Sequence, residues 1–63
     1  MRTDLEKQTH ELEEKLTLME SNNYPNLLGR LMLNDCLDIL VDYNENDFDR
    51  QMNRYLLLEV KYK

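Results

Sequence analysis

The stretch Tyr24–Tyr43, YPNLLGRLMLNDCLDILVDY, holds the only proline, glycine and cysteine of the chain and its longest apolar region. Pro25 has a preset φ and lacks the N–H that a first helical residue leaves unpaired, so it suits the start of a helix. Asn23 or Tyr24 would then be the N-cap. Because apolar residues recur at helical spacing after this point, the pattern predicts a helix over residues 25–43, around which the other segments pack.

This central helix is predicted to have two unlike sides. About half of its circumference is apolar, a face wide enough to need a neighbour on each side, so we expect the helix to be sandwiched between two others. Gly29 lies within that face at a cost of about 1 kcal/mol in helix propensity, which favours close approach by another helix.

The opposite side of the central helix is acidic. Its carboxylates, which we call the acidic face, are the candidate partner-binding residues Asp35, Asp38, Asp42 and Glu45. A solvated helix face is the main alternative interpretation. A cation site is disfavoured because a straight helix spreads carboxylates along its side instead of closing a cage around an ion.

The first segment, residues 3–21, is predicted to be a short coiled-coil-like helix. Thr3 to Glu6 match a capping box, in which two side chains satisfy exposed N–H groups reciprocally. The apolar stripe follows a heptad pattern formed by Leu5, Thr9, Leu12, Leu16 and Met19. Fewer than three heptads are present, so we expect one helix of a bundle or a short two-stranded zipper. The short link before Pro25 favours an antiparallel hairpin with the central helix.

The third segment is predicted to be a helix over residues 46–61, with Asn46 as its cap. The run Tyr55–Leu58 is also compatible with a strand because aromatic residues favour β-structure, but no second strand is available to pair with it. The predicted fold is therefore all-α, a single domain over residues 1–63. It is a small three-helix bundle, or a helical hairpin plus a third helix, completed by oligomerisation.

Chain length is the reason for expecting oligomerisation. A chain of 63 residues buries only about 60% of its unfolded surface, so its own core gives marginal stability. One cysteine cannot form an internal disulfide, and we expect a homo-oligomer, preferably a dimer, or a hetero-assembly. The predicted core or interface residues are Leu5, Leu12, Leu16, Met19, Leu28, Gly29, Met32, Cys36, Ile39, Leu40, Phe48, Met52, Tyr55 and Leu56.

Charge narrows the possible partners. Acidic residues outnumber basic ones 13 to 8, giving a net charge of −5, which disfavours direct binding to nucleic acid or to an anionic membrane. A basic protein surface is the better electrostatic match. No signal peptide or membrane span is expected, and a lone cysteine fits a reducing compartment, so the predicted location is intracellular: cytoplasmic, or nuclear in a eukaryote.

Two residues are candidates for metal binding or catalysis. His10 lies in the run HELEE, which resembles half of a zinc-protease helix but lacks the second histidine, so a solvated surface histidine is the better interpretation. Cys36 falls among apolar neighbours, where a thiol is expected to be inert. We therefore predict no enzymatic activity, no cofactor and no metal.

The run Asn34–Val41, NDCLDILV, resembles the signature Ser-Gln-x-Leu-Asp-x-Leu-Ile of the small helical-hairpin aspartyl-phosphate phosphatases that regulate sporulation in bacilli. The resemblance implies a role for Asp38, the signature aspartate. Asn34 stands at the serine position, the interhelical spacing is shorter, and a third helix is expected to follow.

These observations predict a small non-enzymatic protein–protein interaction module that binds through helix faces, as an assembly subunit, an adaptor or an inhibitor of a larger machine. One alternative is an acidic viral or plasmid regulator that blocks a nucleic-acid-binding host protein. The other is a small helical regulator of response-regulator phosphorylation.

Overall fold

Three α-helices form the molecule. The computed structural model describes the backbone of residues 4–63 and the side chains of residues 6–63. The helices are α1 (Asp4–Ser21), α2 (Asn26–Val41) and α3 (Phe48–Lys61). Over the described residues there is no strand, so the predicted all-α class is confirmed, including the choice of helix for Tyr55–Leu58. The start of the predicted capping box at Thr3 lies outside the described residues.

The ends of α2 differ from the prediction by one or two residues. Pro25 is the N-cap rather than the first helical residue, and its carbonyl accepts a hydrogen bond from the Gly29 N–H at 2.8 Å. The helix was expected to reach residue 43 but ends at Val41. There the ladder tightens, since the Asp42 N–H bonds to the Ile39 carbonyl at 3.2 Å in an i→i+3 pattern.

The start of α3 was placed too early. Asp47, not Asn46, is the N-cap residue, and the helix begins at Phe48. The side chain of Asp47 is held at this junction because its carboxylate accepts a hydrogen bond from the Tyr43 hydroxyl at 2.7 Å and another from Gln51 Nε2 at 3.1 Å. Asp47 thereby links the end of α2 to the first turn of α3.

The central helix α2 packs against both α1 and α3, as predicted, and α1 and α3 also contact each other. The buried core consists of Leu12, Leu16, Met19, Leu33, Cys36, Ile39, Leu40, Tyr43, Tyr55, Leu58 and Tyr62.

Gly29 of α2 lies against the ring of Tyr62, the C-cap residue of α3. A Cβ built there would lie 2.6 Å from both Cε1 and Cγ of the Tyr62 ring and closer still to Cδ1. The ring is also tethered, since the Tyr62 hydroxyl donates to the Asn22 carbonyl at 3.1 Å and accepts from the Tyr24 N–H at 3.1 Å. Glycine is needed here because any side chain would displace a buried aromatic ring.

Candidate interaction surface

The boundary between α1 and α3 is closed by polar contacts, and we call it the α1–α3 seam. Arg54 of α3 is at its centre, with its side chain only 17% exposed. Its guanidinium binds Glu20 in two places, with Nε to Oε2 at 3.0 Å and Nη2 to Oε1 at 2.8 Å, and also pairs with Glu13. It donates to the Thr17 hydroxyl at 3.1 Å as well. The seam therefore ties α3 to three successive turns of α1.

The charges of the seam stabilise each other. Hydrogen bonds from Arg54 lower the pKa of the Glu20 carboxyl, although partial burial opposes that effect. The same hydrogen bonds, which the Glu20 carboxylate accepts, hold the pKa of Arg54 above its ordinary value. Gln51, which is buried, completes the network: its Oε1 accepts from Arg54 at 2.9 Å, and its Nε2 donates to Asp47. These groups satisfy one another, so the seam offers a partner little unpaired polarity.

The outer side of α2 is different, because it exposes apolar residues. Leu27 and Leu31 are 75% and 55% exposed and lie one turn apart on the first half of the helix. Leu28, at 43% exposure, lies beside them. We call these three residues the leucine patch. Leucine side chains left open together on one helix face are typical of a binding surface.

The acidic face continues from the leucine patch. Asp35, Asp38 and Asp42 follow Leu31 at helical spacing along the same outer side of α2, and all three are exposed. Glu45 is exposed in the connection to α3. Within the part of the chain that the structure describes, none of these four carboxylates has a hydrogen bond or ion pair of its own, and no three potential metal ligands converge.

Two separate hollows lie along the boundary between α2 and α3, and we call this surface the α2–α3 groove. Toward the α2–α3 connection it is lined by Leu37, Val41 and Met52, and at its other end by Leu33 and Val60. Leu56 lies between Met52 and Val60 at four-residue spacing on the same side of α3. Val41 and Val60 are 73% and 72% exposed, so the groove is not covered by the chain itself.

The predicted core or interface residues fall into three groups. Eight are buried: Leu12, Leu16, Met19, Gly29, Cys36, Ile39, Leu40 and Tyr55. Met32, Phe48 and Met52 are partly buried against the core. Leu28 and Leu56 are 43% and 46% exposed, so neither belongs to the core of the single chain, and their place in an interface stays a prediction. The side chain of Leu5 lies outside the described residues.

The two residues considered for chemistry are separated from each other and from the surfaces above. Cys36 is fully buried, and burial raises the pKa of its thiol to about 11, which leaves it protonated and inaccessible. His10 is exposed on α1, with Nε2 lying 3.9 Å from Glu14. Among the described residues, no catalytic arrangement surrounds either side chain.

No protein-family model, curated protein or solved structure matches this chain. The geometry must therefore carry the functional argument. Among the described helices, none combines the length and the apolarity that crossing a lipid bilayer requires.

Sequence reasoning missed the polar groups that join α1 to α3. The position of Gln51 could have been recognised from the sequence. It precedes Tyr55 and Leu58 by four and seven residues, so it is a polar residue on the apolar face of the helix. A weaker signal for Arg54 was the row Glu13, Thr17 and Glu20 on one side of α1. Pairing that row with Arg54 requires knowing that α1 and α3 meet.

Proposed function

We propose that this protein is a small, non-enzymatic interaction module that binds a protein partner through the outer face of α2. The observation that carries the proposal is the sequence of exposed residues along that face: the leucine patch first, then the carboxylates of the acidic face. Neither set is used by the fold, since the core and the α1–α3 seam form without them.

The chemistry of this face suggests the kind of partner that fits. Burying Leu27 and Leu31 would each remove a mostly exposed apolar side chain from water, worth about 1.5–3 kcal/mol per fully buried leucine. Asp35 and Asp38 lie one or two helical turns beyond these leucines, so they favour a basic residue at the corresponding position of the partner. An amphipathic segment with an apolar end and a basic end matches both halves, as in helix-to-helix recognition.

A nucleic-acid-binding protein is the second candidate partner, as expected of an acidic regulator that blocks such a protein. The observation that favours it is that the four carboxylates of the acidic face have no partner among the described residues. Binding dominated by these charges weakens steeply as salt increases, whereas binding dominated by the leucine patch does not. The salt dependence of the affinity therefore separates the two candidates.

Affinity capture from the native cell with matched variants tests the proposal. The double variant Leu27→Glu/Leu31→Glu removes the apolar half of the face without touching the core. Leu57→Glu is the control, because Leu57 is also highly exposed but lies on α3. We expect a partner that is retained by the wild type and the control but lost with the double variant.

Capture sets that are identical for all three proteins would refute binding through the outer face of α2. A partner that is lost only when Asp35 and Asp38 are replaced by lysine, and that is basic, would favour the acidic regulator instead. Purified partner and protein then give the affinity directly by calorimetry at low and high salt.

A further inference from the structure

We propose that the α2–α3 groove is covered by the same groove of a second copy of this chain, arranged antiparallel across a two-fold axis. This inference deepens the proposed function, because it assigns self-association to one surface and leaves the leucine patch, Asp35 and Asp38 for the other partner. It depends on the apolar centre of the groove and on the opposite charges at its two ends.

The centre of the groove is formed by leucines. The Tyr62 ring packs on Gly29 at one end, and the Tyr43 and Phe48 rings stack with centroids 6.5 Å apart at the other. Leu37 and Leu56 lie close to midway between these two contacts, on their respective helices. Both are exposed, so a two-fold axis through the centre would place leucine against leucine.

The valines flank that centre on opposite sides. Val41 follows Leu37 by about one helical turn toward the α2–α3 connection, whereas Val60 follows Leu56 by about one turn toward the other end. An antiparallel second copy would therefore place Val41 of one chain near Val60 of the other. Both side chains are more than two-thirds exposed in the single chain, so the pairing would remove large apolar surfaces from water.

The two ends of the groove carry opposite charge. Arg30, Glu59 and Lys63 line one end, giving two positive charges and one negative. At the other end, three exposed carboxylates each follow a lining residue in the sequence: Asp42 follows Val41, Glu45 follows Asn44, and Asp49 follows Phe48. Arg50 does not offset these acids, since its guanidinium is bound by Asp47 at 3.2 Å.

This charge distribution selects one orientation of the second copy. Antiparallel pairing brings the positive end of each groove to the negative end of the other, twice per dimer, whereas parallel pairing sets like charges together. The charged residues that follow Leu31 along α2 are all acidic, whereas the groove carries both signs of charge and is complementary to itself.

Sedimentation equilibrium with charge-reversed variants tests this arrangement. Arg30→Glu/Lys63→Glu makes both ends of the groove negative, and Asp42→Lys/Glu45→Lys/Asp49→Lys makes both ends positive. All five residues are exposed, so thermal unfolding in dilute solution should show that each variant folds. We expect the wild type to dimerise and each variant alone to associate about tenfold more weakly, because like charges then meet at both ends of the dimer.

An equimolar mixture of the two variants should restore the dimer, because each end then meets its opposite. Leu56→Asp should abolish association of the wild type, while Leu27→Glu/Leu31→Glu should leave it unchanged. A wild type that remains monomeric up to about 1 mM, or a dimer indifferent to Leu56→Asp and to charge reversal, would overturn self-pairing through this groove. Neither result bears on the proposed binding through the leucine patch, which the capture experiment tests separately.

Discussion

The two boundaries of α3 are built in opposite ways. Toward α1, Arg54, Gln51 and Lys61 reach across and their polar atoms are paired, with Lys61 donating to the Asn22 carbonyl at 3.2 Å. Toward α2, the surface outside the core is apolar and open, with Val41 and Val60 largely in water. One boundary is closed by contacts within the chain, and the other is the surface that we propose a second copy covers.

The difference shows how a chain of 63 residues can fix its fold while leaving apolar side chains exposed. Directional hydrogen bonds at the seam determine how α3 lies on α1, and Tyr62 on Gly29 determines how closely α3 approaches α2. Exposed leucine and valine side chains add little to the stability of the single chain. They become stabilising only when another surface covers them.

The contact between Gly29 and Tyr62 gives the largest expected effect on folding. Gly29→Leu should lower the free energy of unfolding by about 1–3 kcal/mol from overpacking, against a gain of nearly 1 kcal/mol in helix propensity. The tethered ring cannot easily move aside, so we expect net destabilisation in urea unfolding. In a Tyr62→Leu background the same change should cost clearly less, as a double-mutant cycle would show. Net stabilisation by Gly29→Leu alone would mean that the close approach does not exist.

The second-largest effect is expected from Arg54→Met, which disrupts the seam. This substitution keeps much of the side-chain length but removes the charge. We expect a loss of about 1–2 kcal/mol in unfolding free energy, because several hydrogen bonds are lost while Glu13 and Glu20 regain water. Arg50→Met is the matched control, since Arg50 contacts only Asp47 among the described residues and should cost about 0–1 kcal/mol. Equal losses of unfolding free energy for the two variants would show that Arg54 is not the central residue of the seam.

Acid should weaken the seam by a smaller amount. The pKa of Glu20 is lowered from its ordinary 4.5 by Arg54, and that of Asp47 from its ordinary 3.8, first by the Tyr43 hydroxyl. Because both folded-state pKa values are depressed, this stability is present above about pH 4.5 and is lost as the pH falls through the lowered values. Urea unfolding from pH 7 to pH 3 should show that loss, with a flatter profile for Arg54→Met. Parallel profiles for the two proteins would argue against the Glu20 contribution.

The sequence predicted features within single helices better than contacts between helices. Periodicity located three helices, the buried stripe of α1 and the exposed carboxylates of α2, because those features depend on spacing within one helix. It overestimated the apolar face of α2, since Leu28 and Leu37 are apolar yet exposed. The Arg54 network and the seat of Tyr62 on Gly29 join residues more than thirty positions apart, so they depend on how the helices meet.

A dilution series followed by backbone amide NMR tests most directly whether the α2–α3 groove is an association surface and the α1–α3 seam an internal one. As the concentration rises from about 10 µM to about 1 mM, amide shifts around Leu37 and Leu56 should move, while those around Glu13, Thr17 and Glu20 on the α1 side of the seam stay fixed. Shifts confined to the seam, or no shifts anywhere in that range, would contradict the account.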